Sequence, residues 1–336
     1  MGVQSISSGA DSGRNEDLVA VFETGNRTDL LVIDGASSVA DRDYIDEQRG
    51  DVVWFVHAFA SALAATLDSQ RTQHDSVRLA LAALQEEWAA CLGGQTMPVH
   101  AWPIAALSWV RIVRHGDAQR AELYSLGDCK TLLRAANGLT TDIDPYVNPQ
   151  ESVLQAEIEK LQARGVTDAM TRRAHLLPML RTRREFQNTT LAPFVLCLRP
   201  HGPLDARTAR FDLAPGTALL MMTDGFYRLV DTYGLYGVDE LADACVRLGP
   251  ARLLAQLRAH EAAHLGAAAL AVKRADDASA VVWTAACRML QGAEIFPQAI
   301  GSAVDDPSSG SANANANANA NAASVRALEP EQRAPG

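Results

Sequence analysis

The sequence predicts an α+β fold: two antiparallel β-sheets packed as a sandwich and flanked by helix pairs, a four-layer αββα arrangement with a helical flap inserted. Three observations carry that expectation. Short apolar runs are separated by tight turns such as Gly25-Asn26 and Asn137-Gly138, which join antiparallel neighbours. Long amphipathic helical stretches are inserted between the strands at two places. They do not alternate regularly with strands, which counts against a doubly wound parallel sheet.

Residues 18–22 and 30–33 read as strands of a hairpin turned by Gly25-Asn26. Residues 44–67 read as a long helix, with Val53, Val56, Ala60, Leu63 and Leu67 at spacings of three and four. Residues 76–92 predict a second helix. Strands follow at 105–113, 121–126 and 131–134, separated by turns at His115-Gly116-Asp117 and Gly127-Asp128. Residues 140–190 differ: 151–164 and 167–186 are charged and helical, with Pro178 expected to break or kink the second. Strands resume at 194–198 and 218–222, helices at 238–246 and 252–263, and the last strand at 279–284. Residues 1–290 are therefore expected to form the folded domain, with a flap at about 140–190. Residues 291–336, with an Ala-Asn alternation from Ala312 to Ala322, are expected to be a disordered low-complexity tail.

Composition narrows the function classes. The chain has 336 residues, 48% hydrophobic and 21% charged, enough for a large core. A formal net charge of −10 argues against nucleic acid as the main partner. The five cysteines form no Cys-x-x-Cys pair and fit a reducing cytoplasm. No apolar run approaches the roughly 18 residues of a membrane span. A cytoplasmic protein with no membrane partner is the expectation.

The chemistry lies in acids placed at strand ends. Asp34, Asp128 and Asp224 each follow an apolar strand; Asp276 and the pair Glu16-Asp17 each precede one. Any one alone reads as a turn residue. Together they converge if the sandwich brings those strand ends to one place. Two carboxylates ~5 Å apart at an effective dielectric of ~20 repel by about 3 kcal/mol, so such a cleft needs cations or bound protons. Hard divalent ions with oxygen ligands suit it, favouring Mg2+ or Mn2+ over zinc. A pair of such ions generates a hydroxide from water at neutral pH, and the implied reaction is direct hydrolysis of a phosphate monoester.

The ordered series Arg14-Asn15-Glu16-Asp17, Val32-Ile33-Asp34-Gly35, Leu126-Gly127-Asp128, Thr223-Asp224-Gly225 and Asp276-Asp277-Ala278-Ser279 resembles the motifs of metal-dependent type-2C (PPM) Ser/Thr protein phosphatases, over about residues 8 to 286. The resemblance implies a phosphorylated protein as substrate and two Mg2+ or Mn2+ ions, with a third at an additional weaker site. It implies that Asp34 bridges both ions and that Gly35 gives a backbone carbonyl to one. Asp224 and Asp276 would complete the other, Glu16 would act directly or through water, and Asp128 would serve the additional ion. Three positions depart from the pattern. Ser12 stands where the family has its phosphate-binding arginine, leaving Arg14 as the candidate phosphate contact. Arg228 replaces an acid four residues after Asp224, and so stands as an alternative phosphate contact. Asp277 stands where the family has asparagine. A non-catalytic relative serving as a regulatory binding module is the alternative.

Other residues carry competing readings. His260-Glu261-x-x-His264 matches a zinc-protease pattern without an evident third ligand and reads as surface or packing. His57 reads as packed in its helix. Ser37-Ser38 lack a nucleophile elbow and shape the loop beside the acids. Arg181, Arg183 and Arg184 read either as a solvated flap face or as recognition of an acidic or phosphorylated protein.

Overall fold

A computed structural model describes residues 2–10, 14–68, 70–116, 118–148, 150–263 and 275–285. The expected tail, Ser12, His264 and Cys287 lie outside these residues. Eleven strands and seven α-helices are described. The strands are β1 (Gly2–Ser8), β2 (Asp17–Thr24), β3 (Arg27–Gly35), β4 (Ile104–His115), β5 (Ala118–Leu126), β6 (Lys130–Arg134), β7 (Thr140–Asp142), β8 (Leu196–Cys197), β9 (Arg207–Asp212), β10 (Ala218–Met222) and β11 (Ala278–Thr284). They form two antiparallel sheets. One runs β1-β11-β10-β6-β7; the other runs β2-β3-β4-β5-β9, with β8 added on β4.

The alternation of side chains along each strand builds the layers. On β3, Leu30 and Val32 face the other sheet and meet Met221, Val281 and Trp283 in the central core. Leu31 and Ile33 face outward and pack, with Leu107 and Trp109 of β4, against helices α1 (Asp51–Thr66) and α2 (Gln73–Leu92) through Phe55, Phe59, Leu81 and Leu84. On the opposite face, Leu220, Met222, Ala280 and Val282 pack against α6 (Val238–Leu248) and α7 (Pro250–Ala263) through Leu241, Cys245, Leu253 and Leu257. The expected αββα sandwich is what the chain adopts. The remaining helices are the flap pair α3 (Glu151–Ala163) and α4 (Ala169–Thr189), and the four-residue α5 (Asp224–Tyr227).

Several local expectations are corrected. The helix expected from residue 44 starts at Asp51. Gly50 has φ of 101°, and the buried Asp51 carboxylate accepts the backbone N–H groups of Tyr44, Ile45 and Asp46 at 2.7, 2.7 and 3.0 Å. That network holds 44–50 as a loop and stops the helix propagating backwards. Pro178 does not break α4, which is assigned as one helix across it. The strand expected over 194–198 is only Leu196–Cys197. Strands β1, β7 and β9 were not expected: their polar composition hides them until a neighbouring strand supplies the hydrogen bonds.

One knot of charge sits well inside the second sheet. Asp29 accepts hydrogen bonds from Trp109 Nε1 (2.9 Å) and Arg111 Nε (2.8 Å) and pairs with Arg27 at 2.8 Å, all four side chains being buried.

Candidate metal centre

The acids meet at one end of the sandwich because of register and close backbone approach. Asp34 lies opposite Asp17 on β2 and opposite Ala106 on β4. Asp17 is buried, and its carboxylate accepts the Thr223 hydroxyl at 2.9 Å. Thr223 in turn donates its N–H to the Ser279 carbonyl, while its hydroxyl accepts the Ser279 N–H, each at 3.0 Å. One side-chain bond thus ties the end of β2 in one sheet to the ends of β10 and β11 in the other.

Two glycines set the spacing. A Cβ on Gly225 would lie 1.9 Å from the Asp277 carbonyl oxygen and 3.2 Å from Asp276 Cβ, so Asp224-Gly225 sits directly on Asp276-Asp277. Gly127, at φ of 77°, lies over Ala106, where a Cβ would come within 2.5 Å of the Ala106 methyl. Since Ala106 is the register partner of Asp34, this turn delivers Asp128 beside Asp34. Arg207 holds the turn by donating to the Gly127 carbonyl at 2.7 Å while paired with buried Asp144.

The electrostatics record the convergence. Burial pushes the Asp34 carboxyl well above the usual carboxylate range, and the charges of Asp224, Asp17, Asp128 and Asp276 push it further. Asp17 is raised by burial and by Asp277 and Asp224, against the lowering effect of the Thr223 hydrogen bond. The buried thiol of Cys129 is pushed up by burial and the same acids. That disfavours it as a thiolate ligand. The donor set is therefore carboxylate oxygen, which matches hard divalent cations. Among the described residues, no three His, Cys, Asp or Glu side chains are placed to grip one ion.

A cleft of about 620 Å3 opens over the acids, with Asp128, Asp224 and Asp276 in its wall. Glu16 is half-buried beside it. Its N–H donates to Asp277 Oδ2 at 2.6 Å, its carbonyl accepts the Gly35 N–H at 3.0 Å, and its carboxylate accepts the Ser37 hydroxyl at 2.6 Å. Asp277 also accepts the Ala10 N–H at 2.8 Å, so its carboxylate braces the segment carrying Glu16.

Arg14 points away from the cleft. Its exposed guanidinium pairs with Asp43 at 3.1 Å and packs on Gly50. Arg228 lines the cleft and also pairs with buried Glu261 at 3.9 Å. Glu261 is bonded to Arg258 at 2.7 Å, and His260 packs on the Tyr233 ring. The outcome for the flap arginines is more informative. Arg173 donates to the Ser38 carbonyl (2.6 Å), Arg181 to Val39 (2.9 Å), and buried Arg184 to Ala36 and Ser37 (3.3 and 3.2 Å). They clamp the loop that follows Asp34-Gly35. Asp17 and Arg173 were the residues sequence reasoning passed over, while Arg184 was read only as a solvated face or a recognition residue. Asp17 adjoins the more prominent Glu16. Arg173 and Arg184 are eleven residues apart, close to three turns, and so share a helix face, a signal that was readable.

Residues 163–285 match the family model described as Stage II sporulation protein E (SpoIIE). The match runs from the end of α3 to the last strand and takes in Asp224 and Asp276. Among solved structures, the chain resembles the Mycobacterium tuberculosis serine/threonine phosphatase PstP/Ppp at 16% identity, covering 85% of this chain and 98% of that one, with a TM-score of 0.47. It resembles PppA of Pseudomonas aeruginosa at 17% identity, over 84% and 96%, with a TM-score of 0.45. It also resembles the phosphatase domain of SpoIIE from Bacillus subtilis at 12% identity, over 88% and 97%, with a TM-score of 0.40. No curated protein matches the chain. No helix among the described residues is long and apolar enough to cross a membrane.

Proposed function

We propose that this chain is a metal-dependent phosphatase of the PPM type that hydrolyses phosphoserine or phosphothreonine in proteins. One observation carries the reading: carboxylates from both sheets crowd Asp34 so closely that their charges raise its pKa beyond the effect of burial. A cleft of that kind costs stability in the absence of cations, and clustered, strongly perturbed acids are a feature of functional sites. Two Mg2+ or Mn2+ ions would be held by Asp34 between them, with Gly35 through its carbonyl, Asp224, Asp276 and Glu16 around them, and a third by Asp128. Bound there, the ions supply a water of lowered pKa and neutralise phosphate oxygens.

The protein's own groups do the rest. Asp34 is fixed by pairing on both sides in the sheet. The Ser37 hydroxyl orients the Glu16 carboxylate, and the Asp277 carboxylate fixes the Glu16 backbone. Asn148 donates to Asp128 Oδ2 at 3.0 Å, turning that acid and linking it to the flap through Arg183. The domain proposed to carry this chemistry is 1–290, in the cytoplasm. A binding module without catalysis is the weaker reading, since binding alone gives no reason for carboxylates that repel one another.

Purified protein is expected to hydrolyse p-nitrophenyl phosphate with added Mn2+, to stop with a chelator, and to lose activity in Asp34→Asn. Full activity in that variant, or none in the folded, Mn2+-bound wild type, would overturn the proposal. A phosphopeptide panel then separates protein from small-molecule substrates.

A further inference from the structure

We propose that Arg184, carried on the flap helix α4, is the residue that grips the phosphate of the substrate; this rests on the phosphatase reading above. Its side chain is 6% exposed and lines the same cleft as Asp128, Asp224 and Asp276. Its Nη2 donates to the Ala36 and Ser37 carbonyls, which fixes the plane of the guanidinium. Its Nη1 is buried with no hydrogen-bond partner. Leaving a buried cationic donor unpaired is costly, and such atoms in a folded protein call for a ligand.

The other basic groups around the cleft are engaged differently. Arg228 pairs with Glu261, and Lys130 lies 3.7 Å from Asp142. Arg173 is spent on the Ser38 carbonyl; Arg183 is tied through Nη2 to Asn148, and its own unpartnered nitrogen is the inner Nε, not a fork-end Nη as in Arg184. Arg14 is held outside the cleft by Asp43. For Arg184, burial lowers the pKa to about 10, with the Glu16 charge opposing that fall. The guanidinium therefore stays positive at neutral pH. A planar fork with a spare N–H suits a tetrahedral oxyanion better than an ammonium does.

The test uses the full chain loaded with Mn2+ and titrated with inorganic phosphate by calorimetry. This measurement needs no turnover, so a lack of hydrolysis would sink the phosphatase reading while leaving the role of Arg184 decidable. Arg184→Gln and Arg184→Lys are expected to weaken phosphate binding by about tenfold or more, the scale of one charge-assisted hydrogen bond. Mn2+ affinity is expected to stay within about twofold of wild type on that same scale. Arg181→Ala, which frees the Val39 carbonyl and the exposed Asp41 carboxylate and leaves Ala36 and Ser37 held by Arg184, is expected to keep wild-type phosphate affinity. Arg184→Lys retains the charge and serves if Arg184→Gln does not fold. Undiminished phosphate binding in Arg184→Lys, an equal loss in Arg181→Ala, a loss that merely tracks lost Mn2+, or no phosphate binding by the wild type would each overturn the assignment.

Discussion

Replacing Gly225 with alanine tests the geometry of the acidic cluster at the level of backbone contact. The new Cβ would stand 1.9 Å from the Asp277 carbonyl oxygen. A comfortable C···O contact is about 3.3 Å, so the two segments must part by about 1.4 Å. No flexible side chain stands in the way to yield; the obstacle is backbone. The retreat carries Asp276 away from Asp224 and pulls the Asp277 carboxylate from the Glu16 and Ala10 N–H groups, now at 2.6 and 2.8 Å. Overpacking costs about 1–3 kcal/mol, and weakening one charge-assisted hydrogen bond adds about 1.5 kcal/mol. The expected loss is about 2.5–4.5 kcal/mol in urea unfolding, with weaker Mn2+ binding by calorimetry. Gly202→Ala is the control: its Cβ would lie 2.0 Å from the Leu191 carbonyl oxygen, on an exposed loop. That variant should retain Mn2+ affinity. Wild-type stability and Mn2+ binding in Gly225→Ala would show that the two segments do not touch as described.

Further outcomes follow from other parts of the molecule. Asp34→Asn removes a carboxylate that burial and four neighbouring charges disfavour, so the ion-free variant should be more stable than ion-free wild type at neutral pH while losing activity. Because the folded-state pKa of Asp34 is raised, the folded chain binds more protons than the unfolded one above pH ~4, and its contribution to stability declines as pH rises. The stability gap between Asp34→Asn and wild type in chelator should therefore widen from pH 5 upward, by at most about 1.4 kcal/mol per pH unit; a gap that narrows would contradict the burial argument. Asp29→Asn unpairs buried Arg27 and Arg111 and should cost about 3–5 kcal/mol, with Mn2+ affinity unchanged because Asp29 lies five residues, roughly 17 Å, along β3 from Asp34. Asp277→Ala should weaken Mn2+ binding by freeing the Glu16 segment; equal affinity in the two proteins would show that Asp277 does not position Glu16.

The sandwich was legible because its central strands are apolar on both faces. Runs such as Leu30-Leu31-Val32-Ile33 announce burial whatever their partners. β9, reading Arg-Thr-Ala-Arg-Phe-Asp, alternates half-buried with exposed residues and is a strand only because β5 offers its edge. The start of α1 was hidden for a related reason: propensity favoured helix from residue 44, but one carboxylate at Asp51 satisfied three N–H groups in a loop instead. In the cluster, Asp34, Asp128, Asp224 and Asp276 stood out at the ends of strong strands. Asp17 did not, because its neighbourhood with Asp34 exists only in the register of the β2–β3 hairpin. Arg184 was legible as a candidate for recognising a phosphorylated protein but not as a clamp on loop 36–37, because a charged helix far along the chain gives no hint of which loop it covers.

The acids are divided between the two layers: Asp17 and Asp34 belong to one sheet, while Asp224 and Asp276 flank strands of the other. Like charges there repel across the gap between the leaves, while the ion-paired Arg27–Asp29–Arg111 knot lies further along the same leaf. A divalent ion held across the gap, as proposed, would act as a rivet through both leaves and set how firmly the molecule resists being peeled open.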